Sequence, residues 1–256
     1  MNAEISSIKM ILARVQMAGC AALIVVTALI GSTGLAQSQV GCPAPAAEFN
    51  GLNPNLGQLK NWLRAYRCSK YDLEVAEVIA EARAWIEQRA REVAKPAVVL
   101  DIDETSLSNW EQIHRNDFAF IRGGDCDKDA DSACGQGAWE LSARAVAIGP
   151  TLGLYNDAKA RSIAVFFVTG RFDDPVRRAA TEENLYRAGY RNWNGLFMRP
   201  QSTAGRSVAE YKATTRAGIE SAGYSIIANI GDQDSDLMYG HAEKSFKVPN
   251  PFYFIP

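Results

Sequence analysis

Three short apolar runs, each ending abruptly in a polar cluster, limit what this chain can fold into. Residues 97–100, 163–168 and 225–230 are rich in β-branched side chains and are strand-length, so they read as strands buried on both faces. A weaker run covers 195–198. Helical patterns at 151–160, 175–188 and 207–222 lie between them. Pro175 opens the middle one, and Gly189 and Gly223 follow the ends of the last two. A longer pattern at 72–93 places Val75, Val78, Ile79, Ala82 and Ile86 on one face, with Asp72 as its cap and Lys95-Pro96 as its stop. Strands alternating with helices predict an α/β fold with a mostly parallel sheet covered on both faces. Residues 106–149 break the rhythm and read as an insertion, while 37–55 read as an irregular segment.

In open parallel sheets ligands bind beyond the carboxyl ends of the strands. There the chain carries Asp101-Ile102-Asp103-Glu104-Thr105, then Thr169-Gly170-Arg171, then Gly231-Asp232-Gln233-Asp234-Ser235-Asp236. Carboxylates gathered in one crevice repel each other unless a cation compensates them. A hard divalent ion such as Mg²⁺ suits an oxygen donor set. The two histidines, His114 and His241, stand alone and give no zinc pattern. Asp101 can attack phosphorus, and Asp103, two residues on, can face the same side and act as acid and base. Thr169 and a backbone N–H near Gly170 can hold phosphate oxygens, and Lys212 on the 207–222 helix can offset the charge.

The longer strings V-V-L-D-I-D-E-T-S-L-S-N, F-F-V-T-G-R, Y-K-A-T-T-R and N-I-G-D-Q-D-S-D-L resemble the haloacid-dehalogenase (HAD) superfamily. Within it they are similar to the class B-like acid phosphatases, the group of plant acid phosphatases, vegetative storage proteins and bacterial lipoprotein acid phosphatases. The resemblance runs from about Cys68 to the end of the chain. It implies a Rossmann-like HAD fold with a cap insertion at about 106–149 and an N-terminal helical segment. It also implies phosphomonoester hydrolysis through an aspartyl-phosphate. Asp101 becomes the nucleophile, Asp103 the acid and base, Thr169 (with Gly170) the phosphate binder, and Lys212 the stabiliser of the phospho-intermediate. Mg²⁺ would be held by Asp101, the backbone carbonyl of Asp103, and Asp232, with Asp236 supporting that shell. Asp234 falls outside the motif and reads as a solvated loop residue; Arg171 reads as an ion-pair partner. A storage or binding protein on the same fold, and phosphotransfer to an alcohol, are the alternatives.

A formal charge of −2 over 256 residues disfavours a nucleic-acid partner and leaves small phosphomonoesters open, nucleoside 5′-monophosphates and sugar phosphates alike. Basic Lys9 and Arg14 precede an apolar stretch over 18–35, which small residues follow at Gly34-Leu35-Ala36. That order reads as a secretory signal, residues 1–36, with an uncleaved membrane anchor as the alternative. A start at Met10 would give it a more ordinary length. Cys20 precedes most of the apolar run, which disfavours a lipid-modified cysteine. Removal of the signal leaves Cys42, Cys68, Cys126 and Cys134, which allow three pairings that the sequence does not choose among; short loops suggest Cys42 with Cys68 and Cys126 with Cys134. Such staples fit a periplasmic or secreted protein with no stable membrane association after cleavage. The acidic stretch 125–131 lacks the glycine and the glutamate of a calcium loop and reads as a solvated loop. Trp110, Phe118, Phe120 and Trp139 read as the small core of the insertion, with one of them a candidate pocket wall. N-terminal sequencing of protein recovered outside the cytoplasm is expected to begin near Gln37; retention of residues 1–36 would identify an anchor instead.

Overall fold

A computed structural model describes residues 53–128 and 132–255. Helices α1 (Leu56–Ser69) and α2 (Tyr71–Arg89) lead into β1 (Pro96–Leu100). Between β1 and the next long strand lie β2 (Leu107–Ser108), α3 (Trp110–Arg115), α4 (Gln136–Ser142), β3 (Val146–Ala147) and α5 (Gly149–Ala160). Then come β4 (Ala164–Asp173), α6 (Pro175–Arg187), β5 (Gly195–Pro200), α7 (Val208–Ser221), β6 (Ser225–Gly231), α8 (Asp234–Leu237) and β7 (Ser245–Lys247). The main sheet has the order β5-β4-β1-β6-β7, and every pairing in it is parallel. β2 and β3 form a separate antiparallel pair that ties the two ends of the intervening segment together.

The two-residue period of β1 divides the core. Val98 and Leu100 face a large cluster that takes in Val75, Ile79, Ala82 and Ile86 of α2 and Leu154, Tyr155 and Ala158 of α5. Ala97 and Val99 face a smaller cluster closed by Ile219 of α7. The sheet is thus covered on both faces, and the apolar area so buried stabilises the fold at about 25 cal/mol per Å². Central position on both sides explains why β1 carries no polar residue before Asp101.

Details of β4, α1 and α2 depart from the sequence expectation. Strand β4 runs on to Asp173, so Thr169, Gly170 and Arg171 lie within it and not beyond its end. Helix α1 was not anticipated. It starts at a capping box in which the Asn55 carbonyl-amide oxygen accepts from Gln58 N at 3.0 Å and Gln58 Oε1 accepts from Asn55 N at 3.0 Å. Helix α2 begins one residue before Asp72, at Tyr71, and its cap residue Lys70 makes no side-chain cap bond. Only Lys70 separates the two helices, so there is no room for an independent cap. Asp72 sits in the first turn and pairs instead with Arg67 at 3.0 Å. Gly189 and Gly223 both take positive φ, +104° and +89°, as expected of residues just past helix ends.

Cys126 and Cys134 are joined by a disulfide, and both are buried. The loop they close is pinned to α3: Gln112 Nε2 and Asn116 Nδ2 donate to the Cys134 carbonyl at 3.2 and 2.7 Å, and Cys134 N donates to Asn116 Oδ1 at 2.9 Å. Cys42, the N-terminal segment 1–36 and residues 129–131 of the acidic loop lie outside the described residues. Among the described residues no helix is long and apolar enough to cross a membrane. Replacing Cys126 and Cys134 together by serine is expected to lower stability by roughly 2–3 kcal/mol, the chain-entropy value for so short a loop, read as a lower thermal midpoint under oxidising conditions and none under reducing ones.

Candidate active site

Asp101 follows β1 directly, and its backbone N–H still donates to the carbonyl of Ile230 on β6 at 3.0 Å. The nucleophile candidate is therefore fixed by the same ladder that builds the sheet. Asp232 follows the end of β6, and Asp236 lies in the short helix α8 that opens there. One carboxylate oxygen from each of Asp101, Asp232 and Asp236 lies within 4.8 Å of the others, and all three residues are buried. Gly231 makes this approach possible, because a Cβ at that position would collide with the Asp236 carboxylate.

Lys212 enters from α7, which Ser207 caps by accepting from Glu210 N at 3.3 Å. Its Nζ donates to Asp101 Oδ1 at 2.5 Å and also to Asp236 Oδ1. One turn further along the same helix face, Arg216 donates to the backbone carbonyls of Asp236, Met238 and Gly240. Asn229 Nδ2 donates to the same Asp236 carbonyl at 2.9 Å. The loop carrying the acidic pair is thus held from both sides. Burial, then Asp236, push the Asp101 carboxyl well above the ordinary range, although Lys212 opposes them. Burial lowers the Lys212 ammonium's proton affinity, but Asp101 and Asp236 outweigh it, so the lysine stays charged. Burial and Asp236 push Asp232 up to about 6, against the donors Asn250 and Gln233. One ammonium does not balance three buried carboxylates.

The donor set suits a hard cation. Among the described residues, no hydrogen bond reaches Asp101 Oδ2, and Asp232 Oδ1 accepts only from Thr105 Oγ1 at 3.2 Å. Asp232 Oδ2 is taken by Gln233 Nε2 and Asn250 Nδ2, each at 2.7 Å. Asp101 Oδ2 is therefore open and Asp232 Oδ1 carries a single long hydrogen bond, which leaves both with lone pairs that a divalent ion can use.

Asp103 stands apart from this cluster in its bonding. Its carboxylate receives Arg171 through Nη2 at 2.7 Å to Oδ1 and through Nε at 3.0 Å to Oδ2, and Asn109 Nδ2 at 2.8 Å to Oδ1. Burial alone would raise its pKa, but Arg171 and then Asn109 overcome it and hold the carboxyl below the ordinary range. The expectation of an ion pair at Arg171 is what the geometry contains. Thr169, fully buried, lies within β4 and not after it as the sequence suggested, and accepts from Arg171 N at 3.2 Å through Oγ1. The register Leu100↔Phe167 on neighbouring strands sets Thr169 and Gly170 beside the Asp101–Asp103 turn.

These elements match a known family over most of the chain: residues 54–256 fit the model of the HAD superfamily, subfamily IIIB (acid phosphatase). The chain belongs to that subfamily. It is 34% identical over 160 residues to acid phosphatase 1 of Solanum lycopersicum, covering 61% of this chain and 58% of that one. It therefore spans less than two thirds of that relative's length. Vegetative storage protein 2 of Arabidopsis thaliana is 40% identical over 76 residues, 30% of this chain and 28% of that one. The class C acid phosphatase from Bacillus anthracis superposes with a TM-score of 0.59 over 78% of this chain and 85% of its own, at 17% identity, a likeness of fold.

Of the remaining sequence candidates, Asp234 is exposed and pairs with Lys247 at 2.5 Å, and His241 pairs with Glu220 on the surface at 2.7 Å. Trp139 is not a pocket wall: it is 2% exposed and its indole N–H is spent on Asn109 Oδ1 at 2.8 Å. Trp110 packs against Phe118 and Phe252, while Phe120 is 73% exposed. Sequence reasoning missed Gln233 and Asn250 as partners of Asp232, and Asn109 as a partner of Asp103. Gln233 and Asn109 sit inside quoted motif strings, so a signal existed; Asn250 had none. Also missed was Glu104, which takes φ +53° and is fully buried. It accepts from Tyr71 Oη at 3.2 Å and from Asn109 N, and burial first of all pushes its carboxyl up to about 8.

Arg171→Ala is expected to destabilise the fold by about 2–4 kcal/mol, below the full cost of breaking a wholly buried pair. Asp103 keeps 21% side-chain exposure, which moderates the loss. Chemical denaturation of the variant beside Asp103→Ala/Arg171→Ala, which is expected to recover part of that loss, checks it.

Proposed function

We propose that this chain is an exported, Mg²⁺-dependent acid phosphatase that hydrolyses small phosphomonoesters through an aspartyl-phosphate on Asp101. The observation that carries this reading is the contact of Lys212 with both Asp101 and Asp236, inside a buried group that includes Asp232. A candidate nucleophile with one open carboxylate oxygen, a fixed ammonium and two further buried carboxylates stand together at the carboxyl end of a parallel sheet. Membership of the acid phosphatase subfamily supports the same chemistry.

In the first half-reaction a carboxylate oxygen of Asp101 bonds to phosphorus as the ester P–O bond breaks, and Asp103 gives its proton to the departing oxygen. In the second, Asp103 takes a proton from water as that water attacks phosphorus; the O–P bond to Asp101 breaks and inorganic phosphate leaves. Asp103 rests as an anion on Arg171, but a bound phosphate brings further negative charge beside it and favours its protonated form. Lys212 offsets charge on Asp101 and the transferring group, and Thr169 with the Gly170 N–H holds phosphate oxygens. Asp101, the Asp103 carbonyl and Asp232, with Asp236 beside them, would hold Mg²⁺, which supplies positive charge against the phosphate oxygens. Enzymes accelerate phosphate-monoester hydrolysis by up to ~10²¹-fold, more than any one of these contributions supplies. We place residues 1–36 as the export signal and 106–149 as a cap over the site. The Cys126–Cys134 disulfide supports an oxidising compartment.

The storage reading is weaker, because Asp101, Asp103, Lys212 and Asp232 are all present. Purified protein is expected to hydrolyse 4-nitrophenyl phosphate, to lose that activity with a chelator, and to regain it with Mg²⁺. Asp101→Asn is expected to abolish turnover, with a loss of about 10⁴-fold or more. An unchanged rate in that variant would remove Asp101 as nucleophile.

A further inference from the structure

Asp103 is held by more than its ion pair. Arg171 Nη2 and Asn109 Nδ2 both donate to Oδ1, at 2.7 and 2.8 Å, whereas Oδ2 receives Arg171 Nε alone, at 3.0 Å. Arg171 Nε also reaches Oδ1, at 3.2 Å. Oδ1 is saturated, so Oδ2 is the oxygen with capacity left to carry a proton. The orientation of the Asn109 amide decides this. Reversed, it would set its own oxygen against the carboxylate.

What prevents the reversal lies thirty residues on. Trp139 Nε1 donates to Asn109 Oδ1 at 2.8 Å, and an indole nitrogen is only a donor. It must therefore face the amide oxygen, which turns the NH₂ toward Asp103. Both groups are buried, Asn109 at 3% and Trp139 at 2% exposure, so water does not supply a substitute. The Asn109 backbone is fixed as well, its N–H donating to Glu104, which in turn accepts from Tyr71 on α2. Trp139 belongs to α4, whose cap residue Gly135 directly follows the disulfide cysteine Cys134.

We infer that Asn109 and Trp139 are positioning residues for the proton-transferring carboxyl: Trp139 sets the Asn109 amide, and the amide fixes which oxygen of Asp103 faces the leaving group. This rests on the proposed acid role of Asp103. The segment between β2 and β3 thereby takes part in leaving-group protonation through one hydrogen-bonded amide, and none of its residues need touch the substrate.

Leaving-group dependence distinguishes this from a structural role. Hydrolysis of an alkyl ester needs its leaving oxygen protonated; 4-nitrophenolate leaves with little help. Asn109→Ala and Trp139→Phe, the latter keeping a buried ring while losing the N–H, are to be compared with wild type and Asp103→Asn. The readout is kcat/KM for glycerol 2-phosphate and for 4-nitrophenyl phosphate. Both variants are expected to lose about 10-fold on the alkyl ester and less than about 3-fold on the aryl ester, a fraction of the ~10²–10⁴ that general acid catalysis supplies. Asp103→Asn is expected to show the same selectivity with a larger loss. If Asp103→Asn is selective while Asn109→Ala and Trp139→Phe lose equally on both esters, the positioning role is overturned and the acid role stands. If Asp103→Asn itself loses equally on both, or the wild type hydrolyses neither, the underlying reading falls and the inference with it.

Discussion

Three aspartates buried around a single lysine are the constraint on which the rest of this structure depends. Removing a carboxylate from water costs several kcal/mol unless charge and hydrogen bonds replace the solvent. Here Lys212 serves Asp101 and Asp236, while Thr105, Gln233 and Asn250 serve Asp232. The remaining imbalance is negative, and like charges so gathered favour a compensating cation. Much of the surrounding architecture answers to that one demand. The sheet ladder holds Asp101, and Arg216 with Asn229 holds the backbone of Asp236. Gly231 gives the space that a side chain would close.

Asp103 lives under different electrostatics a few ångströms of chain away. Arg171, itself buried, balances it one to one, and Asn109 adds a neutral donor. Two carboxylates separated by one residue are thus driven in opposite directions, Asp101 upward and Asp103 downward. Pairs of titratable groups pushed apart by their surroundings are the usual sign that they do different work. The turn that follows Asp103 is tight, with Glu104 in the left-handed region and its side chain buried. Local strain of that kind persists only where neighbouring contacts over-determine the backbone, and Tyr71 and Asn109 supply those contacts.

The architecture was largely legible in the amino-acid order. Strands at 97–100, 163–168 and 225–230 correspond to β1, β4 and β6, because continuous apolar runs of that length have few alternatives to a buried parallel sheet. Helices α5, α6 and α7 were equally visible from their period and their Pro and Gly punctuation. Helix α1 was missed although its signals were present, an Asn-to-Gln capping box followed by Leu56, Leu59, Leu63 and Tyr66 at helical spacing, because the Pro- and Gly-rich stretch read as irregular runs right up to its cap residue. The grouping of Asp101, Asp232 and Asp236 was anticipated for a simple reason. In a parallel sheet all strand ends of one polarity lie on one edge, so residues that follow different strands must meet.

Sequence alone therefore determined the layers, the edge of the sheet at which the polar clusters gather, and the acidic residues and lysine that meet there. Only the tertiary structure decided which atoms those residues share. That Lys212 bridges Asp101 and Asp236, that Asn250 closes one oxygen of Asp232, and that Trp139 orients Asn109 against Asp103 are contacts between distant segments. No periodicity encodes them, because a hydrogen bond depends on the direction of a donor and an acceptor, and that direction exists only once the backbone around both is packed.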